Sequence, residues 1–135
     1  MDSKEMLKFA AVGFMNRPPP PSILLKKNFN VHFDYPYGRP FPDGRISPIN
    51  YGNIPGTKND SDGSAWDIVV PGVKASLAGI RIDRVVGLVT DRAGDHKLIG
   101  MPVGMMVSKE LFEKQLEDYL RFRKRDDPSS RVIRI

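Results

Sequence analysis

Short apolar runs separated by clusters of proline and glycine limit what this chain can fold into. The 135 residues include 12 prolines and 12 glycines. Residues 28–35 alternate apolar and polar side chains, which predicts a half-buried strand. Prolines and glycines then break residues 36–44 into turns, and Asp43-Gly44 is a hairpin signal. Residues 68–70 predict another short strand, so the pattern indicates short strands joined by turns.

The second half of the chain predicts a hairpin followed by a helix. Strands are predicted at residues 80–90 and 97–101, joined by a polar turn. Residues 108–125 are predicted to form the one helix, because their apolar side chains recur on a single stripe. Residues 131–135 are predicted to be either a last short strand or a tail. These elements indicate a small β-barrel or a curled sheet with a helix packed on it.

The N-terminal part is predicted to stand apart from this domain. Four consecutive prolines, Pro18 to Pro21, favour polyproline II over a helix or a sheet strand. We therefore predict an N-terminal arm at residues 1–27 and a barrel domain at residues 28–135. The arm is expected to act as a spacer, to dock on an aromatic groove of a partner, or to pack on its own domain or subunit.

Composition excludes several classes of function. The chain has no cysteine, which excludes disulfides, thiolate metal sites and cysteine nucleophiles. No apolar run approaches the roughly 20 residues needed to span a bilayer, and the start lacks the order of a signal peptide. We therefore expect a cytoplasmic protein without a membrane partner. The net charge of +5 suits a nucleic-acid surface or a basic cleft for a small anion, but a solvated helix end and tail explain it more simply.

Residues 50–72 contain the strongest candidates for a metal and phosphate site. Two turn signals, at residues 50–57 and 71–72, enclose a polar loop that delivers carboxylates to the start of an apolar strand. Oxygen ligands of this kind suit a hard divalent cation, and nearby basic side chains suit phosphate. Carboxylates combined with cations predict metal-assisted phosphoryl transfer to water. The candidate acids are Asp34, Asp60, Asp62, Asp67, Asp91 and Asp95, and the candidate phosphate donors include Arg39, Arg45, Lys97 and Arg123.

The same stretch resembles a known family. It reads NYGNIPGT, then after four residues DGSAWDIVV, and this is similar to the signature of family I soluble inorganic pyrophosphatases. The resemblance implies an OB-like closed five-stranded β-barrel with a C-terminal helix, and Mg²⁺-dependent hydrolysis of pyrophosphate to two phosphates. It is compatible with a homo-oligomer. The residues that it implies are Asp62, Asp67 and Tyr51 for catalysis, Arg39, Arg45, Lys97 and Arg123 for substrate, and Asp34, Asp62, Asp67, Asp91 and Asp95 for metal.

One departure from the family pattern leaves a second hypothesis open. Ser64 stands where the family carries the aspartate that acts as a base on the attacking water. Asp60 or Asp62 would restore the spacing if the loop has an insertion. A general base typically contributes about 100- to 10,000-fold to a rate, and serine is a poor base. The alternative function is therefore a catalytically impaired relative that binds phosphate, nucleic acid or a protein, or that has a structural role.

Overall fold

The computed structural model describes residues 29–58, 63–102 and 107–134. The predicted arm at residues 1–27 lies outside these ranges, so the division into arm and barrel stays a prediction. Asp60 and Asp62 also lie outside them.

Six strands and one helix make up the described part of the chain. Their order is β1 (Phe29–Tyr35), β2 (Asn50–Ile54), β3 (Trp66–Val70), β4 (Gly79–Thr90), β5 (Lys97–Pro102), α1 (Lys109–Asp126) and β6 (Arg131–Arg134). No helix in the described ranges is both long enough and apolar enough to cross a membrane.

The first five strands close into a barrel. Antiparallel pairing joins β1 to β2, β2 to β3, β4 to β5 and β4 to β1, while β3 and β5 pair in parallel. Because β1 pairs with both β2 and β4, the sheet has no open edge between them. The last strand, β6, adds to the second half of β4. The predicted closed five-stranded barrel with a C-terminal helix is confirmed.

Two apolar layers hold this barrel together. The barrel interior is filled by Val31, Phe33, Ile54, Trp66, Ile68, Val70, Ile82, Val85, Leu88, Leu98 and Ile133. A second layer lies between the outer face of the sheet and α1, and comprises Ile49, Val69, Val89, Ile99, Phe112, Leu116 and Tyr119. Each large apolar side chain that leaves water in this way contributes about 1.5–3 kcal/mol. The middle of β3 is therefore apolar on both faces, which explains its unbroken Ile68-Val69-Val70 run.

The helix follows its predicted apolar stripe. The Ser108 side chain accepts a hydrogen bond from the backbone N–H of Leu111 at 3.3 Å and is therefore the N-cap. Phe112, Leu116 and Tyr119 are buried on the inner side. The helix ends because Asp127 takes an extended conformation (φ −142°) immediately before Pro128, as residues preceding proline favour.

One local prediction is wrong. Residues 50–57 have a turn-like composition, yet Asn50–Ile54 is strand β2, and the turn is confined to the residues that follow. Pairing with β1 on one side and β3 on the other overrides the local preference. Position 52 of this strand requires glycine because β1 approaches it so closely that a Cβ would overlap the carbonyl oxygen of His32.

A hairpin between β1 and β2 packs against the end of α1. It turns at residues 41–44, where Gly44 has a φ of 89° and its N–H donates to the carbonyl of Phe41 at 2.9 Å. The predicted Asp43-Gly44 hairpin is therefore confirmed. The ring of Phe41 lies 4.9 Å from that of Phe122 in α1 and 5.7 Å from that of Tyr51 in β2. This aromatic contact fixes the hairpin beside the outer face of the barrel.

Candidate functional site

Strand alternation brings predicted site residues onto the outer face of the barrel. In β3, Ile68 enters the barrel interior, so its neighbour Asp67 lies on the opposite face. The parallel register sets Ile68 opposite Leu98, which brings Asp67 beside Lys97 at the start of β5. Tyr51 lies on the same outer face in the neighbouring strand β2.

The Lys97 ammonium joins two carboxylates. Its Nζ lies 2.6 Å from Oδ2 of Asp67 and 3.0 Å from Oδ1 of Asp95. It also lies 5.8 Å from the centre of the Tyr51 ring. The Lys97 side chain is 13% exposed, whereas those of Asp67 and Asp95 are 37% and 42% exposed. The carboxylates therefore form the wet rim of the cluster, and the ammonium lies beneath them.

Arg123 of α1 forms the deeper half of the cluster. Its Nη2 lies 2.9 Å from Oδ2 of Asp91, in an ion pair whose side chains are only 9% and 8% exposed. The same guanidinium donates to the carbonyls of Val89 and Asp95, each at 3.2 Å. The other carboxylate oxygen of Asp91 accepts the N–H of Asp95 at 3.2 Å. Arg123 and Asp91 together hold the β4–β5 turn against the helix.

Two tyrosines line the cluster as neutral hydroxyls. Burial, reinforced by the charges of Asp67 and Asp95, raises the pKa of Tyr51 well above its usual range. Burial also raises the pKa of Tyr119, with a further contribution from Tyr51. Their rings lie 6.2 Å apart. Both phenols therefore keep their protons at neutral pH, and the Tyr51 hydroxyl can act as a hydrogen-bond donor beside the Asp67 carboxylate.

The charge of Lys97 is maintained by its acidic neighbours. Burial by itself would lower the pKa of this lysine, but the carboxylates of Asp67 and Asp95 outweigh burial, and the net shift is upward. Lys97 is therefore a full positive charge at neutral pH. The cluster therefore holds a positive charge directly beneath its two rim carboxylates.

The structure thus brings together six predicted site residues: Tyr51, Asp67, Asp91, Asp95, Lys97 and Arg123. Asp34 lies further along the same face, where its carboxylate accepts a hydrogen bond from Nδ2 of Asn53 at 2.8 Å. Asn53 is in turn paired with Asp67 across β2 and β3. Asp34 is therefore one strand removed from the cluster, and Asp62 lies outside the described residues.

Arg45, one of the two predicted arginines of the hairpin, pairs with carboxylates outside the cluster. Arg45 is held by Asp43 at 2.6 Å and by Asp126 at 3.0 Å, and its guanidinium lies 4.1 Å from the centre of the Phe122 ring. These contacts bind the hairpin to the end of α1. Arg39 is exposed on the same hairpin.

Part of the signature stretch has a structural role. Asn50 is fully buried; its Oδ1 accepts the N–H of Tyr37 at 2.8 Å and its Nδ2 donates to the carbonyl of Val73 at 3.3 Å. The hydroxyl of Thr57 donates to the carbonyl of Ile54 at 2.6 Å and accepts the N–H of Trp66 at 3.0 Å. Thr57 therefore joins the end of β2 to the start of β3, whereas Asn50 ties the opposite end of β2 to the neighbouring loops.

The sequence interpretation missed Tyr119 as part of the site. Its ring packs in the apolar layer beneath α1 and lies 6.2 Å from the ring of Tyr51, which is itself part of the cluster. A signal was available, because Tyr119 and Arg123 are four residues apart and therefore share one helix face.

The donor set fits a small hard cation. Asp67 and Asp95 direct carboxylate oxygens to one point, which the Lys97 ammonium occupies. Within residues 29–58, 63–102 and 107–134, no three acidic or histidine side chains are grouped closely enough to hold a metal by themselves. Mg²⁺ is often bound through only one or two carboxylates, with waters and substrate phosphates completing its shell. Asp67 and Asp95 are therefore the described residues that could contribute ligands to such an ion.

The fold is similar to that of solved inorganic pyrophosphatases. The inorganic pyrophosphatase from Ehrlichia chaffeensis superposes with a TM-score of 0.54 at 22% identity, covering 74% of this chain and 81% of that one. The enzyme from Thermus thermophilus gives 0.52 at 23% identity, covering 81% and 80%. An inorganic phosphatase from Anaplasma phagocytophilum gives 0.51 at 22% identity, covering 81% and 82%.

These similarities concern the fold. No family model matches the chain, and no curated protein matches it. At these identities, a shared barrel says how the chain folds, and function has to be argued from the site.

Proposed function

We propose that this protein hydrolyses pyrophosphate to two phosphates with the help of Mg²⁺. The observation that carries the proposal is the charge cluster of Asp67, Lys97 and Asp95 on the outer face of a barrel whose fold inorganic pyrophosphatases share. Carboxylates can bind the metal cations that accompany pyrophosphate, and a lysine ammonium can bind its negatively charged oxygens. The signature resemblance of residues 50–70 supports the same chemistry.

Asp67 and Asp95 are the proposed metal ligands among the described residues, and Asp62 is the proposed third. When bound, Mg²⁺ would neutralise phosphate charge and lower the pKa of a coordinated water. The side chains of this chain would bind and orient the substrate. Asp91 is buried against Arg123 and is proposed to orient the turn that carries Asp95, rather than to meet the metal directly.

The cations and the tyrosine are proposed to bind the phosphates. The Lys97 ammonium lies just beneath the rim, where it can exchange a carboxylate partner for a phosphate oxygen. The neutral Tyr51 hydroxyl can donate a hydrogen bond to a phosphate oxygen or to a water. Arg123 adds positive charge from below, which favours an anion at the rim. Arg39 and Arg45 are proposed to meet substrate only if the hairpin leaves its present contacts.

The test is phosphate release from pyrophosphate in the presence of Mg²⁺. Wild-type protein should release phosphate, and Asp67→Asn should lower the rate by at least about 100-fold, the scale of losing an acid or base group. Asp118→Asn is the matched control, because this helix carboxylate pairs with Lys114 at 3.0 Å and lies outside the charge cluster. No release at high protein concentration, or undiminished release by Asp67→Asn, would refute the proposal.

A second function is favoured by one observation. Ser64 is exposed beside Gly63, at the position where the resemblance implies a catalytic aspartate. A protein that kept the cluster and lost this base would bind phosphate without cleaving it. Ser64→Asp distinguishes the two functions: a large gain of hydrolysis means that the rest of the site is intact, whereas pyrophosphate binding with no gain favours a binding protein.

A further inference from the structure

The ammonium of Lys97 lies at the point on which the proposed metal ligands converge. Its distances of 2.6 Å to Asp67 and 3.0 Å to Asp95 are those of a bound counter-ion. We propose that Lys97 is a tethered competitor for the metal: it neutralises the two carboxylates when no divalent cation is present and must leave them when one binds. This inference rests on the proposed function, because that function supplies the metal.

The two cations cannot share the position. Mg²⁺ lies about 2.0–2.1 Å from its oxygen ligands, and a lysine nitrogen within 3.0 Å of the same oxygens would be a like charge almost in contact with it. The cluster is only partly exposed to solvent, so water screens this repulsion weakly. Lys97 therefore has to withdraw its ammonium, which its flexible four-carbon stem allows.

Lys97 is the mobile cation of the cluster because its contacts differ from those of Arg123. The Arg123 guanidinium is fixed by two backbone carbonyls as well as by Asp91. In the described part of the chain, the ion pairs of Lys97 go only to side-chain carboxylates at the rim. Replacing one oxygen anion by another costs Lys97 little, whereas moving Arg123 would break its buried hydrogen bond to the carbonyl of Val89 as well as its pair with Asp91.

The consequence is a coupling between metal and phosphate. A phosphate that arrives with the metal gives the displaced ammonium a new partner. Metal and phosphate should therefore raise each other's affinity, by equal factors as linkage requires. Without phosphate, the metal must displace Lys97 unaided and should bind weakly.

The experiment measures Mn²⁺ and Mg²⁺ binding by titration calorimetry without pyrophosphate. Lys97→Met keeps the stem and removes the charge, and it should bind either metal about tenfold or more tightly than wild type, since a charge within a few ångströms shifts an ionic equilibrium by about ten- to a thousandfold. Lys114→Met is the matched control. It removes the same charge from an exposed lysine that is paired with Asp118 at 3.0 Å, and it should leave the affinity unchanged.

A second titration adds methylenediphosphonate, which cannot be hydrolysed. It should tighten Mg²⁺ binding several-fold in wild type and by a clearly smaller factor in Lys97→Met. Lys97→Gln serves if the methionine variant fails to fold in the absence of metal. Refolding of that variant on addition of Mg²⁺ would also support the inference.

The outcomes separate this inference from the proposed function. Equal or weaker metal binding by Lys97→Met and Lys97→Gln, or no metal binding by any variant, would overturn the competitor role even if wild type hydrolyses pyrophosphate. Tighter binding by the variants without any hydrolysis in wild type would keep the competitor role and reject the enzyme.

Discussion

Removal of the Arg123 side chain tests whether the charge cluster stabilises the folded state in addition to its proposed role in the site. Arg123 and Asp91 form an ion pair that is about nine-tenths buried, and the guanidinium also satisfies the carbonyls of Val89 and Asp95. Arg123→Met preserves much of the apolar stem. It leaves the Asp91 carboxylate buried without its cation, and two carbonyls lose a donor.

The expected cost is large for one substitution. Breaking a buried pair by removing one partner typically destabilises a protein by about 3–5 kcal/mol. For a domain of this size, such a loss corresponds to a fall in Tm of roughly 10–20 °C. Asp91→Asn in the same background removes the unpaired charge, so the double variant should be more stable than the sum of the two single losses predicts, by about 1–3 kcal/mol.

The assay is urea unfolding of the two single variants, the double variant and wild type. Arg134→Met is the matched control, because Arg134 makes a two-pronged pair with Glu113 at 2.7 and 3.0 Å but is 56% exposed. An exposed pair contributes about 0.2–1 kcal/mol. If Arg123→Met lowers the free energy of unfolding by no more than Arg134→Met does, burial does not determine how much these ion pairs stabilise the protein, and the expected loss of about 3–5 kcal/mol is refuted.

Four further substitutions test other parts of the structure. Asn50→Ala should cost about 3 kcal/mol in urea unfolding, because several buried backbone groups lose their partner. Gly52→Ala should abolish folding or cost more than about 4 kcal/mol, since the new methyl group overlaps the carbonyl of His32; Gly38→Ala, with a φ of 81° but open space, should cost only about 1–2 kcal/mol. Tyr119→Phe should flatten the loss of stability above about pH 10, measured by thermal melts. The raised pKa of Tyr119 means that the folded state keeps a proton that the unfolded state releases, so stability falls as pH rises through that range. An unchanged alkaline slope in Tyr119→Phe would contradict this account.

Local patterns were enough to predict the elements but not all of their partners. Alternation in residues 28–35 and the stripe of the helix each depend on neighbours in sequence, and both were confirmed. The strand at Asn50–Ile54 was missed because its partners, β1 and β3, outweigh its turn-like residues.

The candidate site shows the same division. Its residue types were predictable, because acids at a strand start and cations beyond a turn are visible in the sequence. Their pairing was not, because Lys97 meets Asp67 only through the parallel register of β3 and β5. The metal role of Asp62 and the separate N-terminal arm stay predictions.

The parallel contact between β3 and β5 also has a kinetic consequence. Asp67 and Lys97 are separated by 30 positions, with the whole of β4 between them. Because the entropy of closing so long a loop must be paid before this contact is made, we expect it to form after the β4–β5 hairpin. A ligand held by both strands would then contribute little to the folding transition state and would act mainly by slowing escape from the native state. A ligand bound at the rim should therefore lower the unfolding rate and leave the folding rate nearly unchanged.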